Sequence, residues 1–117
     1  MSAKANLHKE SLVLAKGSGE VKLDYGKLRR AALTLRSINH PLRKTMLTLM
    51  EDKKKITVTE IYDKLKLEQS VASQHLAIMR KAGVVITKRE GKFIFYSVNT
   101  KRIEEITKLV EELAQKA

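Results

Sequence analysis

Residues 57–98 read TVTEIYDKLKLEQSVASQHLAIMRKAGVVITKREGKFIFYSV. Thr57 followed three residues later by Glu60 is a capping box that starts a helix. Val58, Ile61, Tyr62 and Leu65 then form an apolar stripe at helical spacing. Lys66-Leu67-Glu68 is a short connector. A second helix is expected over residues 69–82, with Gly83 placed to end it as a C-terminal cap. Val84, Val85, Ile86 and Thr87 form a β-branched run. Residues 88–92 carry turn chemistry at Gly91, and residues 93–98 return as a second strand.

The second helix has two faces. Ala72, Leu76 and Met79 fall at i, i+4 and i+7 and should pack on a core. Ser70, Ser73, Gln74 and Ala77 lie on another face, with Gln69 at its N-terminal end. Gln can pair bidentately with adenine, and Ser can exchange hydrogen bonds with several base edges. A solvated helix face is usually Lys and Glu, whereas this one is Ser and Gln. Arg80 and Lys81 follow at the helix end. They suit the negative end of the helix dipole and are also in reach of phosphates. Arg89 and Lys92 flank the tip of the hairpin. Beside a helix-turn-helix, such a hairpin is a wing able to reach phosphates or a minor groove. The plainer alternative is a hairpin with charged edges that block aggregation.

Outward from this stretch, residues 23–38 are helical by pattern, with Leu28, Ala31, Ala32, Leu35 and Ile38 at three- and four-residue steps. Asn39-His40-Pro41 marks a break, and Pro41 suits a first helical position. Leu42, Met46, Leu49 and Met50 make one face of the helix that follows, over residues 41–51. A last helix, capped by Asn99 or Thr100, runs to Gln115. Ile103, Ile106, Val110 and Leu113 form its coiled-coil-like seam. Residues 1–20 read as a flexible N-terminal arm with a short helical piece over residues 7–14, and residues 21–117 as one domain. The expected fold is mainly α with a small β-hairpin. Its order is helix, helix, helix, helix, strand, strand, helix, a winged helix-turn-helix.

Composition agrees with one compact domain. The chain has 117 residues, 43% of them hydrophobic, and a formal charge of +11 at pH 7. Ten Lys and Arg against three acids fall in residues 21–56, so the charge is concentrated there. It favours a polyanionic partner, although a solubilising lysine surface would give the same total. No apolar run approaches the roughly 20 residues that span a bilayer. With no apolar leader segment, a cytoplasmic location and no membrane partner are expected. The absence of Cys excludes disulfides and cysteine-ligated metal. No phosphate loop, ligand cluster or activated nucleophile points to an enzyme or to a cofactor.

Three segments together resemble the ArsR/SmtB family of winged-helix transcription regulators, over about residues 28–110. HPLRKTMLTLM at 40–50 is similar to the family's HPxRxxIL helix start. QSVASQHLAIMRKAGVV at 69–85 is similar to its recognition helix, commonly QSxxSxHLxxLxxAGLV. KREGKFIFYSV at 88–98 is similar to its wing. The resemblance implies a homodimer on an inverted-repeat operator in double-stranded DNA, acting as a repressor. It implies a dimer interface from the first and last helices, with Leu28, Ala32, Leu35, Ile103, Ile106, Val110 and Leu113. It also implies DNA contacts from Gln69, Ser70, Ser73, Gln74, His75, Arg89 and Lys92, to which the reading of the helix end adds Arg80 and Lys81.

The chain departs from the family at its sensors. The third helix lacks the Cys pair and the last helix lacks His, so no metal site is assigned. His8, His40 and His75 have no ligand spacing. His40 reads as a helix starter, and His75 as a backbone contact or a residue at the core edge. A site joining His8 to carboxylates across a dimer, an unidentified small-molecule effector, and a protein-interaction module of the same fold stay open.

Overall fold

The computed structural model describes residues 10–115 apart from Ser18. The described residues divide into two compact units, one up to Leu33 and one from Thr34 onward. The division falls inside a helix, between Leu33 and Thr34.

In the first unit a hairpin stands where the short helical piece was expected. β1 (Ser11–Lys16) and β2 (Gly19–Asp24) pair antiparallel in full register, from Ser11 opposite Asp24 to Lys16 opposite Gly19. Leu12 faces Leu23 and Leu14 faces Val21, so one face of the hairpin is aliphatic. The described part of the expected helical piece, Glu10 to Leu14, is bend and strand; residues 7–9 lie outside the described residues. The strand wins because Leu12-Leu14 and Val21-Leu23 have a period of two and a Gly-containing loop joins them. α1 (Tyr25–Ile38) starts where the Asp24 carboxylate accepts hydrogen bonds from the Gly26 and Lys27 amides, at 2.8 and 3.2 Å.

The second unit holds the core. α2 (Pro41–Lys53) is capped by His40, whose Nδ1 accepts the Leu42 amide hydrogen at 3.1 Å; His40 is thus a helix starter, as read from the sequence. β3 (Ile56–Thr57) is a two-residue strand. Then come α3 (Val58–Leu65), α4 (Gln69–Lys81), β4 (Val85–Glu90), β5 (Phe93–Val98) and α5 (Thr100–Gln115). The sheet order is β3-β5-β4, all antiparallel. Met46, Met50, Ile56, Ile61, Leu76, Met79, Val84, Val85 and Ile106 make the core. Fully burying each such side chain contributes about 1.5–3 kcal/mol of transfer free energy.

The capping box is present in both directions. The Glu60 amide donates to Thr57 Oγ1 at 3.3 Å, and Glu60 Oε1 accepts the Thr57 amide hydrogen at 3.1 Å. Gly83 ends α4 with φ +81°, and the Val84 and Gly83 amides donate to the Met79 and Arg80 carbonyls.

The aromatic residues need a correction. By apolar stripe and strand alternation alone, Tyr62, Phe93, Phe95 and Tyr96 all read as core residues. The register opposes Phe95 to Lys88 and Tyr96 to Thr87, so Phe95 and Tyr96 point to opposite faces of the sheet. Tyr96 packs on the core, while Phe93 and Phe95 lie on the outer face, with Phe93 half exposed. Tyr62 is partly buried.

Candidate nucleic-acid interface

α3 and α4 are separated by three residues. Lys66 makes the reversal in left-handed backbone at φ 55° and ψ 48°, and its amide bonds the end of α3. The turn leaves α4 with one face sealed and one face open. Ala72, Leu76 and Met79 are each at most 1% exposed. Gln69, Ser70, Ser73, Gln74 and Ala77 are exposed, as the spacing predicts. Glu68 stands at the N-cap without a side-chain bond to the helix.

Ser73, Leu76, Ala77, Arg80, Lys81 and Tyr96 line an open cleft of about 420 Å³ between α4 and the sheet. The cleft joins Arg80 and Lys81 to the Ser73–Ala77 face, so cations and uncharged polar groups share one surface. Arg89 and Lys92 are exposed at the far end of the hairpin and do not line this cleft. A two-residue loop, Gly91-Lys92, closes the hairpin, with Gly91 at φ +63°. Lys55 Nζ lies 2.9 Å from both Glu90 oxygens and 4.8 Å from the Phe95 ring centroid. Hydrogen bonding to Lys55 lowers the Glu90 pKa, so this carboxylate stays ionised beside a cation. The one acid near the tip is thereby offset by Lys55.

His75 is placed differently from its neighbours on α4. It is partly buried, and its Nδ1 stands 3.1 Å from Arg43 Nη1. A guanidinium has only donors, so Nδ1 accepts and the ring is the neutral Nε2–H tautomer. Arg43 is 8% exposed. It also donates from Nε to the Ser37 carbonyl at 2.7 Å and from Nη2 to the Arg36 carbonyl at 3.3 Å. These are carbonyls of the last turn of α1, where a cation meets the negative end of the dipole. The His40 ring lies 4.9 Å from that of His75, tilted by 50°. Burial, first, and then His40 and Arg43 lower the His75 pKa. Sequence reading placed Arg43 in the HPxRxxIL-like helix start and gave it no role of its own; the HPLR spacing puts it in the first turn after the His40 cap.

The expected dimer residues separate. Ile106 is 8% exposed and belongs to the core, and Ile103 packs against it. They serve the chain's own fold because α5 turns that stripe inward. Val110 and Leu113 are 45% and 62% exposed, and Leu109 is 40% exposed beside them. Leu35 is partly buried against the core, Leu28 is 47% exposed and Ala32 is partly buried. Among the described residues no group of three His, Asp or Glu is disposed to hold a metal ion, and no helix is long and apolar enough to cross a membrane.

A helix-turn-helix with an open Ser/Gln face, followed by a cationic hairpin, defines a winged helix-turn-helix. Comparison with known proteins agrees. Residues 40–87 match the family described as bacterial regulatory protein, arsR family. An HTH-type transcriptional regulator of Methanocaldococcus jannaschii is 38% identical over 87 residues, 74% of this chain and 98% of its own. The transcriptional repressor PagR of Bacillus anthracis is 37% identical over 79% of this chain and 92% of its own. The PagR crystal structure superposes with a TM-score of 0.61 over 74% of this chain and 99% of PagR. The transcriptional activator HlyU of Vibrio cholerae is 30% identical over 72% of this chain and 77% of its own. The chain belongs to the arsR family and is a transcriptional regulator.

Proposed function

We propose that the protein is a sequence-specific DNA-binding repressor that acts as a homodimer on an inverted repeat. The observation that carries this reading is the α4 face. Five exposed residues, Gln69, Ser70, Ser73, Gln74 and Ala77, are uncharged and small or amide-bearing, directly over a sealed core face. Such a face approaches a major groove closely and presents both donors and acceptors to base edges. Arg80, Lys81, Arg89 and Lys92 supply phosphate contacts that fix register without reading sequence.

Homodimerisation is supported by the exposed Leu109, Val110 and Leu113 stripe on α5, which no element of the same chain covers among the described residues. Two recognition helices in one dimer meet half-sites about 34 Å apart. Repression follows from similarity to PagR, and similarity to HlyU makes activation the competing outcome.

Selection of bound duplexes from a random DNA pool, followed by fluorescence anisotropy at physiological salt, tests the reading. A symmetric selected site bound at least about a thousandfold more tightly than random duplex supports it. Equal affinity for both removes sequence specificity. Transcription from a promoter carrying the selected site separates repression from activation.

A further inference from the structure

A polar cluster of Arg43, His75 and two main-chain carbonyls lies behind α4. We propose that Arg43 and His75 are positioning residues that lock the recognition helix to the last turn of α1, and that protonation of His75 opens the lock and weakens DNA binding. The proposal rests on the DNA-binding reading above.

The geometry gives the lock three points. Arg43 is nearly buried, and its partners among the described residues are two carbonyls and one imidazole, none of them charged. The guanidinium therefore ties α1, through Arg36 and Ser37, to α4, through His75. Ser37 is itself 2% exposed, and its hydroxyl donates to the Thr34 carbonyl at 2.6 Å, so this end of the tie is rigid. His75 lies between Gln74 and Leu76, one on the open face and one in the core. Fixing its ring fixes the rotation of α4 about its own axis.

The lock works in one protonation state only. Neutral His75 accepts from Arg43. Charged His75 carries N–H at both ring nitrogens, so two donors and two positive charges would face each other at 3.1 Å. His40, from the entry of α2, and Arg43, from α2, are the titratable groups that face the ring, and no carboxylate is among those that act on it. Nothing there would compensate the added charge. The ring must leave Arg43, and α4 loses its tie.

The sign of the pH effect separates this role from direct contact. Acidification adds positive charge, which ordinarily tightens binding to DNA. A His75 that touched phosphate would follow that trend, whereas a His75 that locks α4 must reverse it.

Two measurements on the full chain test the proposal. The first follows the His75 ring and the α4 amides by NMR from about pH 8 to about pH 5, across the range where histidine titrates. His75 should titrate below 6.5, and the α4 amides should shift with the same midpoint. If they stay still while His75 titrates, there is no lock. The second measures anisotropy on a pool-selected duplex and on a random-sequence duplex over the same range. Wild-type affinity for the selected duplex should fall roughly tenfold on acidification, within the usual span of coupling between two sites. His75→Gln, whose amide oxygen can still accept from Arg43 but does not titrate, should show no such fall relative to its own affinity at about pH 8. An equal fall in His75→Gln, or a wild-type affinity that rises, overturns the release. Coupled NMR shifts without DNA binding at any pH would keep the lock and sink the DNA reading instead.

Discussion

Asn99 binds the exit of the recognition helix to the start of α5. Its Nδ2 donates to the Gly83 carbonyl at 2.9 Å, and its amide donates to the Val84 carbonyl at 2.9 Å. Its Oδ1 accepts the Arg102 amide hydrogen at 3.3 Å, which makes Asn99 the N-cap of α5. One side chain therefore fixes the angle between the wing and the last helix. Asn99→Ala removes a cap worth about 1 kcal/mol and leaves the Gly83 carbonyl short of a donor at a comparable cost. Chemical denaturation should show a loss of about 2 kcal/mol; a loss below about 0.5 kcal/mol would mean water replaces both bonds.

Gly83 adds a second test at the same junction. At φ +81° a Cβ is strained, and it would meet Arg102 side-chain atoms at 3.3 Å. Arg102 is exposed and able to move, so the backbone term dominates. Gly83→Ala should cost about 1–2 kcal/mol. Thermal unfolding with unchanged midpoint would contradict the cap geometry.

The capping box predicts a small acid effect. Hydrogen bonds from the Thr57 amide, first, and the Thr57 hydroxyl lower the Glu60 pKa below 4.5. A depressed carboxylate contributes stability that is present above the unfolded value and lost as pH falls through the folded one. Wild type should therefore lose stability relative to Thr57→Ala as pH drops below about 4.5. At neutral pH, Thr57→Ala should cost about 1 kcal/mol. Thr57→Ala keeps the residue 57 amide, so parallel stability curves for the two proteins in acid would remove the hydroxyl's share of the linkage.

On α5, the two halves of the helix predict opposite phenotypes. Leu113→Glu changes an exposed residue and should leave helicity intact while sedimentation shows monomers. Ile106→Ala empties a core position and should cost about 2–5 kcal/mol. A dimer that survives Val110→Glu and Leu113→Glu together would remove this stripe from the interface.

What the sequence disclosed was local. Thr57 with Glu60, Gly83 and the Ala72-Leu76-Met79 stripe each declare themselves within a few turns, because caps and periodicity depend on near neighbours. The exposed Ser/Gln face followed from the same spacing. The two-residue β3 is too short to carry a pattern and exists through its pairing with β5. Phe95 and Tyr96 are neighbours in β5 and take opposite faces, with Phe93 on the side of Phe95, and register, not hydropathy, decides which goes inward. The tie between Arg43 and His75 spans 32 residues and depends on tertiary packing, so no local rule announces it. The two short strands of the β1–β2 hairpin lie among lysines and glycines, a composition that reads as a solvated arm.

Groove reading, as proposed, rests on the open face of α4, and one measurement reaches it directly. Ser73→Glu with Gln74→Glu places two carboxylates on exposed positions, away from the core, so the thermal midpoint should hold. Anisotropy on the selected duplex at physiological salt should show binding reduced at least about a thousandfold, to the non-specific level or beyond. Unchanged affinity in a folded double variant would show that α4 does not read the groove.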